Sequence, residues 1–173
     1  KDRADDMMKT TRRTALLGGL ALGLAGCASK FRTYEGPEVT RLQMFKSDRN
    51  LFLFNNTSVL KAYRIDLGFA AVGPKQFEGD GKTPEGTYTV DRRNPDSLFH
   101  LSIGISYPNE ADIAYAAAQG REPGGDIFIH GGPRPGIDAI KPDWTAGCIA
   151  VSDREIEDIY AMVRDGTPID IFA

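Results

Sequence analysis

Two side chains in this sequence have the type and the setting for covalent chemistry. His130 ends the apolar run Ile127-Phe128-Ile129 and is followed by Gly131-Gly132, and Cys148 follows the small-residue turn Thr145-Ala146-Gly147. A thiol is mostly protonated at neutral pH, so a nucleophilic cysteine needs a base or a positive charge beside it, and an imidazole can be that base. Gly147 allows the backbone to bend sharply before Cys148, and N–H groups exposed at such a turn can face a developing oxyanion. Taken alone the pair is also compatible with a capped core histidine and a buried thiol, since 18 positions separate the two residues. With only two cysteines and two histidines in the chain, a four-ligand zinc site would consume Cys27, Cys148, His100 and His130, and their positions follow no zinc-ligand spacing.

These residues need a scaffold to bring them together, and the flanking pattern predicts one. From Val39 to Gly68 three short β-type runs are separated by Ser47-Asp48-Arg49-Asn50 and Asn55-Asn56-Thr57-Ser58, both turn chemistry, which predicts an antiparallel meander. The glycine- and proline-rich stretch from Gly73 reads as a loop entering a strand near Tyr88 to Val90. Strands are expected over Phe99 to Ser106, Asp126 to His130 and Pro168 to Phe172. Asn109 is placed to cap a short helix ending at Gly120. Ser152 and Glu155 form a capping box for a second helix, with Ile156, Ile159, Tyr160 and Val163 on one face and Gly166 as its stop. Many short strands, two helices and no repeating βαβ rhythm predict an α+β domain of mixed or antiparallel sheets.

The chain has 173 residues, with 21 Lys and Arg against 24 Asp and Glu and a formal charge of −3. That balance gives no electrostatic footing for nucleic acid. Residues 7–27, MMKTTRRTALLGGLALGLAGC, join a basic stretch to an uncharged run from Ala15 to Ala25. The run is too short for a bilayer span, which needs roughly 20 residues, and matches the apolar region of an export signal. Leu24-Ala25-Gly26-Cys27 resembles a bacterial lipobox, which implies cleavage before Cys27 and lipid on its sulfur. Arg12-Arg13 partly resembles a twin-arginine signal, and Met7 or Met8 is the expected start. The expected organisation is a signal over 1–26, a lipidated linker over 27–38 and one domain over 39–173, facing the periplasm from a membrane. Cys148 would then be the only thiol not carrying lipid, in an oxidising compartment.

The residues around His130 and Cys148 resemble the L,D-transpeptidase catalytic domain (YkuD-like) family. The family signature, His-Gly, a gap, then Ser/Thr-x-Gly-Cys, is matched by His130-Gly131 and Thr145-Ala146-Gly147-Cys148. Two more blocks match in order, Gly79-Asp80-Gly81-Lys82-Thr83-Pro84-Glu85-Gly86 and Ile105-Ser106-Tyr107-Pro108-Asn109, and the likeness extends from Val39 to Ile171. Many members carry arginine two places after the cysteine, where this chain has Ala150, and Ala146 replaces a frequent histidine. Those departures resemble the branch related to YafK, some of whose members cut peptidoglycan attachments.

The resemblance implies a mixed-sheet enzyme acting on peptidoglycan stem peptides without metal or cofactor. Cys148 would attack the peptide bond after the L-centre of the third stem residue, with His130 as its base. The carbonyl of Gly131 would orient the imidazole, and the N–H groups of Ala146, Gly147 and Cys148 would form the oxyanion hole. An amine resolving the thioester gives a cross-link; water gives a carboxypeptidase or a hydrolase of cross-links or lipoprotein–murein bonds. Tyr107, Trp144 and Thr145 are candidate substrate-groove residues, and His100 is expected to be structural. A non-catalytic murein-binding lipoprotein is the competing reading; a papain-like protease would place its cysteine upstream of its histidine. A monomer is the expectation.

Overall fold

Alternation of apolar side chains builds the strands, and the computed structural model describes them within residues 29–173. The expected export signal and Cys27 lie outside the described residues. Leu42 and Met44 of β1 (Arg41–Phe45) and Leu51 and Leu53 of β2 (Asn50–Asn55) are fully buried on one face, as a period of two demands. With β3 (Ser58–Arg64) they make the antiparallel meander expected from the turn residues. The chain then crosses to β4 (Gly86–Asn94) and β5 (Ser102–Ile105), passes through α1 (Glu110–Ala118) to β6 (Phe128–His130), and reaches β7 (Ile149–Ala150), α2 (Asp153–Met162) and β8 (Pro168–Phe172).

The strand order is β3-β2-β1-β8-β4-β5-β6-β7. The β1–β8 and β6–β7 pairs are parallel and the other neighbours antiparallel, so the predicted α+β fold of mixed sheets is what forms. β4 serves both halves: Gly86 to Thr89 pair with β8, and beyond an irregularity at Val90 to Arg92 the strand pairs with β5. The two ends of the order also meet, because the chain running on from β3 bridges Asp66 to Ala150 and Gly68 to Thr145. This closure ties the turn before Cys148 to the meander.

Around β5 to β7 alternation sorts the side chains. Ile103, Ile129 and Ile149 share one register row and are fully buried. Ile156 and Ile159 of α2, also fully buried, belong to the same core, and α2 packs on β5 and β6. Ser152 caps α2 through the expected box, a contact worth about 1 kcal/mol. Asn109 caps α1 in the same way, with Gly120 left-handed just past its end.

Three boundaries differ from expectation. α2 ends at Met162, four residues before Gly166, because fully buried Val163 turns extended into the core while the Arg93 guanidinium takes the carbonyls of Tyr160 and Val163. Gly166 serves instead the turn into β8, its N–H donating to Val90 O. β5 begins at Ser102 and not at Phe99: His100 adopts φ +71°, and the ring of Phe99 stacks on His130. β6 begins at Phe128, since Asp126 is left-handed at φ +53°.

Candidate active site

His130 closes β6 and Cys148 immediately precedes β7, so parallel pairing of these two short strands sets Cys148 level with Phe128, two residues from His130 on the same face. His130 and Cys148 line one cleft of about 220 Å³ with Asn94, Ser102, Phe99 and Phe128. Cys148 also borders a second cleft of about 360 Å³ with Lys75, Asp126 and Ala146. The half-buried thiol thus stands where two depressions meet, and its Sγ–H donates to Asp126 O at 3.4 Å.

The imidazole is buried and held from three sides. Its Nδ1 is 2.7 Å from Gly131 O, so Nδ1–H donates to the carbonyl and the Nε2 lone pair is left for another group. Phe99 stacks on the ring with centroids 4.4 Å apart, and Trp144 meets it edge-on at 5.6 Å. Gly131 must lack a side chain, since a Cβ there would meet Asp153 Oδ1 and Phe99 O. Asp153, first residue of α2, accepts the Gly132 N–H at 2.8 Å and so fixes the chain leaving the histidine.

The turn before Cys148 is braced from the meander side. Thr145 is buried; its hydroxyl donates to Cys148 O at 2.7 Å and accepts the Gly147 N–H at 3.1 Å. Gly147 is left-handed at φ +137°, and its carbonyl accepts from the fully buried Thr83 hydroxyl at 2.9 Å. The same Thr83 oxygen accepts the Gly68 N–H at 3.1 Å. Within the glycine-rich block, the Asp80 carboxylate gathers the N–H groups of Gln76, Phe77 and Lys82 and the Lys75 ammonium, and buried Lys46 joins Thr83 O to Glu85. Those backbone donors and Lys75 hold the Asp80 carboxyl below its ordinary range against the opposing effect of burial. Asp80 and Thr83 belong to the block Gly79 to Gly86 that the sequence marks without giving either a role, whereas nothing in the sequence singles out Gly68.

Of the expected groove residues, Trp144 packs on His130 and Phe99, and Thr145 is committed to the turn. Tyr107 is buried, donates to Pro123 O and borders a neighbouring cleft. Ala146 is exposed at the second cleft. His100 stands apart from the site, 2.8 Å from Glu157 Oε1, in a cluster with Arg32. Arg134 is held bidentate by Asp138. Among the described residues no three of His, Cys, Asp and Glu converge as a metal cage.

Burial pushes the Cys148 thiol above its ordinary pKa, against a smaller opposing pull from the Phe128 N–H, Lys75 and Arg92. Burial likewise lowers His130, the Gly131 carbonyl opposing it. Both shifts favour the neutral forms, so the resting pair is thiol and imidazole rather than thiolate and imidazolium. Alkylation of the free protein by iodoacetamide should therefore climb through the alkaline range with a midpoint above that of ordinary cysteine. A rate plateau reaching down to mildly acidic pH would contradict this.

Fold and site define a mixed-sheet domain with a cysteine–histidine cleft on one face of its sheet. Residues 40–171 match the family model of the L,D-transpeptidase catalytic domain, YkuD, and the chain belongs to that family. It is 35% identical over 128 residues to YafK of Escherichia coli K12, covering 70% of this chain and 46% of YafK. Among solved structures it is similar to the helical cell shape determining protein Pgp2 of Campylobacter jejuni, at TM-score 0.60 and 25% identity over 80% of this chain and 49% of that one. Bd1075 of Bdellovibrio bacteriovorus gives TM-score 0.57 and 25% identity, over 82% of this chain and 50% of that one. The chain spans about half the length of these relatives.

Proposed function

We propose that this domain is a peptidoglycan L,D-transpeptidase in which Cys148 is the nucleophile and His130 its base. The reading is carried by one observation: Cys148 and His130 line one cleft, with His130 Nδ1 fixed on Gly131 O. The free Nε2 takes the thiol proton as Sγ bonds to the carbonyl carbon that follows the third stem residue's L-centre. The carbon–nitrogen bond then breaks, His130 returns the proton to the departing amine, and a thioester remains. An amine taking the acyl group yields a cross-link; water taking it yields the shortened peptide.

The Gly147 N–H is engaged by Thr145, so the oxyanion is assigned to the N–H groups of Ala146 and Cys148, which have no partner among the described residues. Residues 1–26 as an export signal, lipid on Cys27 and a linker over 27–38 complete the proposal, placing the domain in the periplasm-facing cell envelope. Among the described residues no helix is long and apolar enough to cross a membrane.

The test is mass spectrometry of products from a purified tetrapeptide muropeptide, with Cys148→Ala as control. Dimers linked through two third-position residues are expected. Tripeptide alone would assign the hydrolytic alternative, and no Cys148-dependent product from this or cross-linked substrates would favour a non-catalytic murein-binding lipoprotein.

A further inference from the structure

The register of β4 to β7 places a cation in line with the candidate nucleophile. Arg92 pairs with Gly104 and Gly104 with Phe128, and Cys148 directly precedes Ile149, the partner of Ile129 beside Phe128. Arg92, Gly104, Phe128 and Cys148 therefore form one row across four strands on one face, at about 4.8 Å per strand. Such a distance would normally keep the first residue of the row away from the last.

Gly104 removes the obstacle. A Cβ at that position would stand 2.5 Å from Arg92 Cγ and 2.7 Å from its Nε, so the arginine side chain lies across the space that a side chain on β5 would fill. Its guanidinium comes to rest 4.7 Å from the centre of the Phe128 ring, and Phe128 lines the same cleft as Cys148 and His130. The opposing pull that Arg92 exerts on the Cys148 thiol is the electrostatic counterpart of that approach.

Two other cations near the site are committed. Lys75 is buried between Phe77 O at 2.8 Å and Asp80 at 3.0 Å, and Arg134 is closed on Asp138 through two bonds. Arg92 is not committed. It meets Asp91 and Asp126 only at 3.4 Å each, with its own side chain 40% exposed and that of Asp126 91% exposed, contacts that solvent makes weak. A planar fork of donors, stacked on an aromatic ring and loosely held, is arranged to take a carboxylate through two bonds.

Arg92 lines the cleft of Tyr107 and Pro123, which adjoins the second cleft of Cys148 through Gly124, Gly125 and Asp126. We infer that Arg92, reaching over Gly104 onto Phe128 at the edge of the site, is a carboxylate-binding residue that selects stem peptides presenting a free carboxylate beside the scissile bond. The inference rests on the proposed stem-peptide substrate and deepens it. Two groups of a stem peptide whose third residue has an acidic side chain carry that chemistry, the C-terminal carboxylate of the departing residue and that side-chain carboxylate, and the test separates them.

Arg92→Gln is compared with the unaltered protein on a tetrapeptide muropeptide and on two analogues, one with the terminal carboxylate amidated and one with the third-residue side-chain carboxylate amidated. The expected result is a fall in kcat/KM of about 10- to 100-fold, mostly in KM, that disappears on the one analogue lacking the contacted carboxylate. Gly104→Ala, which displaces Arg92 from Phe128 without removing it, should reproduce the same substrate-dependent loss. An equal fall on all three substrates would assign Arg92 a structural role and overturn the inference, as would no fall on any. Calorimetric binding of the three peptides to Cys148→Ala, with and without Arg92→Gln, gives the same comparison without turnover. A protein that binds them in an Arg92-dependent way but turns none over overturns the proposed reaction and leaves the binding residue standing.

Discussion

Replacing Cys148 with alanine should abolish formation of every product from a stem peptide, a loss on the order of 10⁴-fold or more, because the thiol is the group that carries the acyl intermediate in the proposed reaction. The change removes one sulfur from a half-buried position whose hydrogen bond to Asp126 O is long at 3.4 Å. Thermal unfolding should therefore move little, and the two measurements together separate chemistry from folding. His130→Gln should cost about 10²- to 10⁴-fold, the range for a positioned general base, and most of that loss should fall in kcat. Because the resting thiol is protonated, the loss in His130→Gln should shrink as pH rises and hydroxide forms the thiolate without it. A loss that stays constant up to the thiol's raised pKa would mean that His130 positions substrate and does not move a proton.

Gly68→Ala should be the most damaging single change outside the cleft, lowering stability by about 3 kcal/mol or more. A Cβ at Gly68 would be driven into the carbonyl of Gly81 and within 2.9 Å of the Gly147 Cα, and backbone on both sides leaves no flexible end to give way. For a domain near 150 residues that is about 6–12 °C in the unfolding midpoint. The same contact couples the fold to the site: Gly68 bridges Thr145, and its N–H and the Gly147 carbonyl are both bonded to the Thr83 hydroxyl. Protein that survives the substitution should show Cys148 alkylation at an altered rate even well below its unfolding temperature. An unchanged midpoint and an unchanged alkylation rate would refute the close packing of these three loops.

Most of the strand positions were legible because burial on one face imposes a period of two, which Leu42, Met44, Leu51, Leu53, Ile169 and Ile171 display openly. Both helix starts were legible for a different reason: Asn109 and Ser152 satisfy backbone donors within their own first turn, so the signal is local. Two of the three misplaced boundaries have the opposite property. The end of α2 is set by Arg93 from a distant strand and by burial of Val163, and the start of β5 by a left-handed His100 that sends Phe99 onto His130. Neither long-range partner leaves a mark on the segment it alters.

The sequence by itself determined the chemistry on offer: a cysteine behind a glycine turn, a histidine at the end of an apolar strand, a glycine and aspartate block between them and the meander, and with these the family. That much is carried by residue type and short spacing. Only the tertiary structure decided how the pieces meet. Parallel pairing of β6 with β7 joins residues 18 positions apart, closure of the sheet order sets Gly68 against Gly147, and an empty Cβ position at Gly104 lets Arg92 cross a strand toward the thiol. Each depends on which strands become neighbours, and that is settled by burial of the whole core rather than by any segment within it.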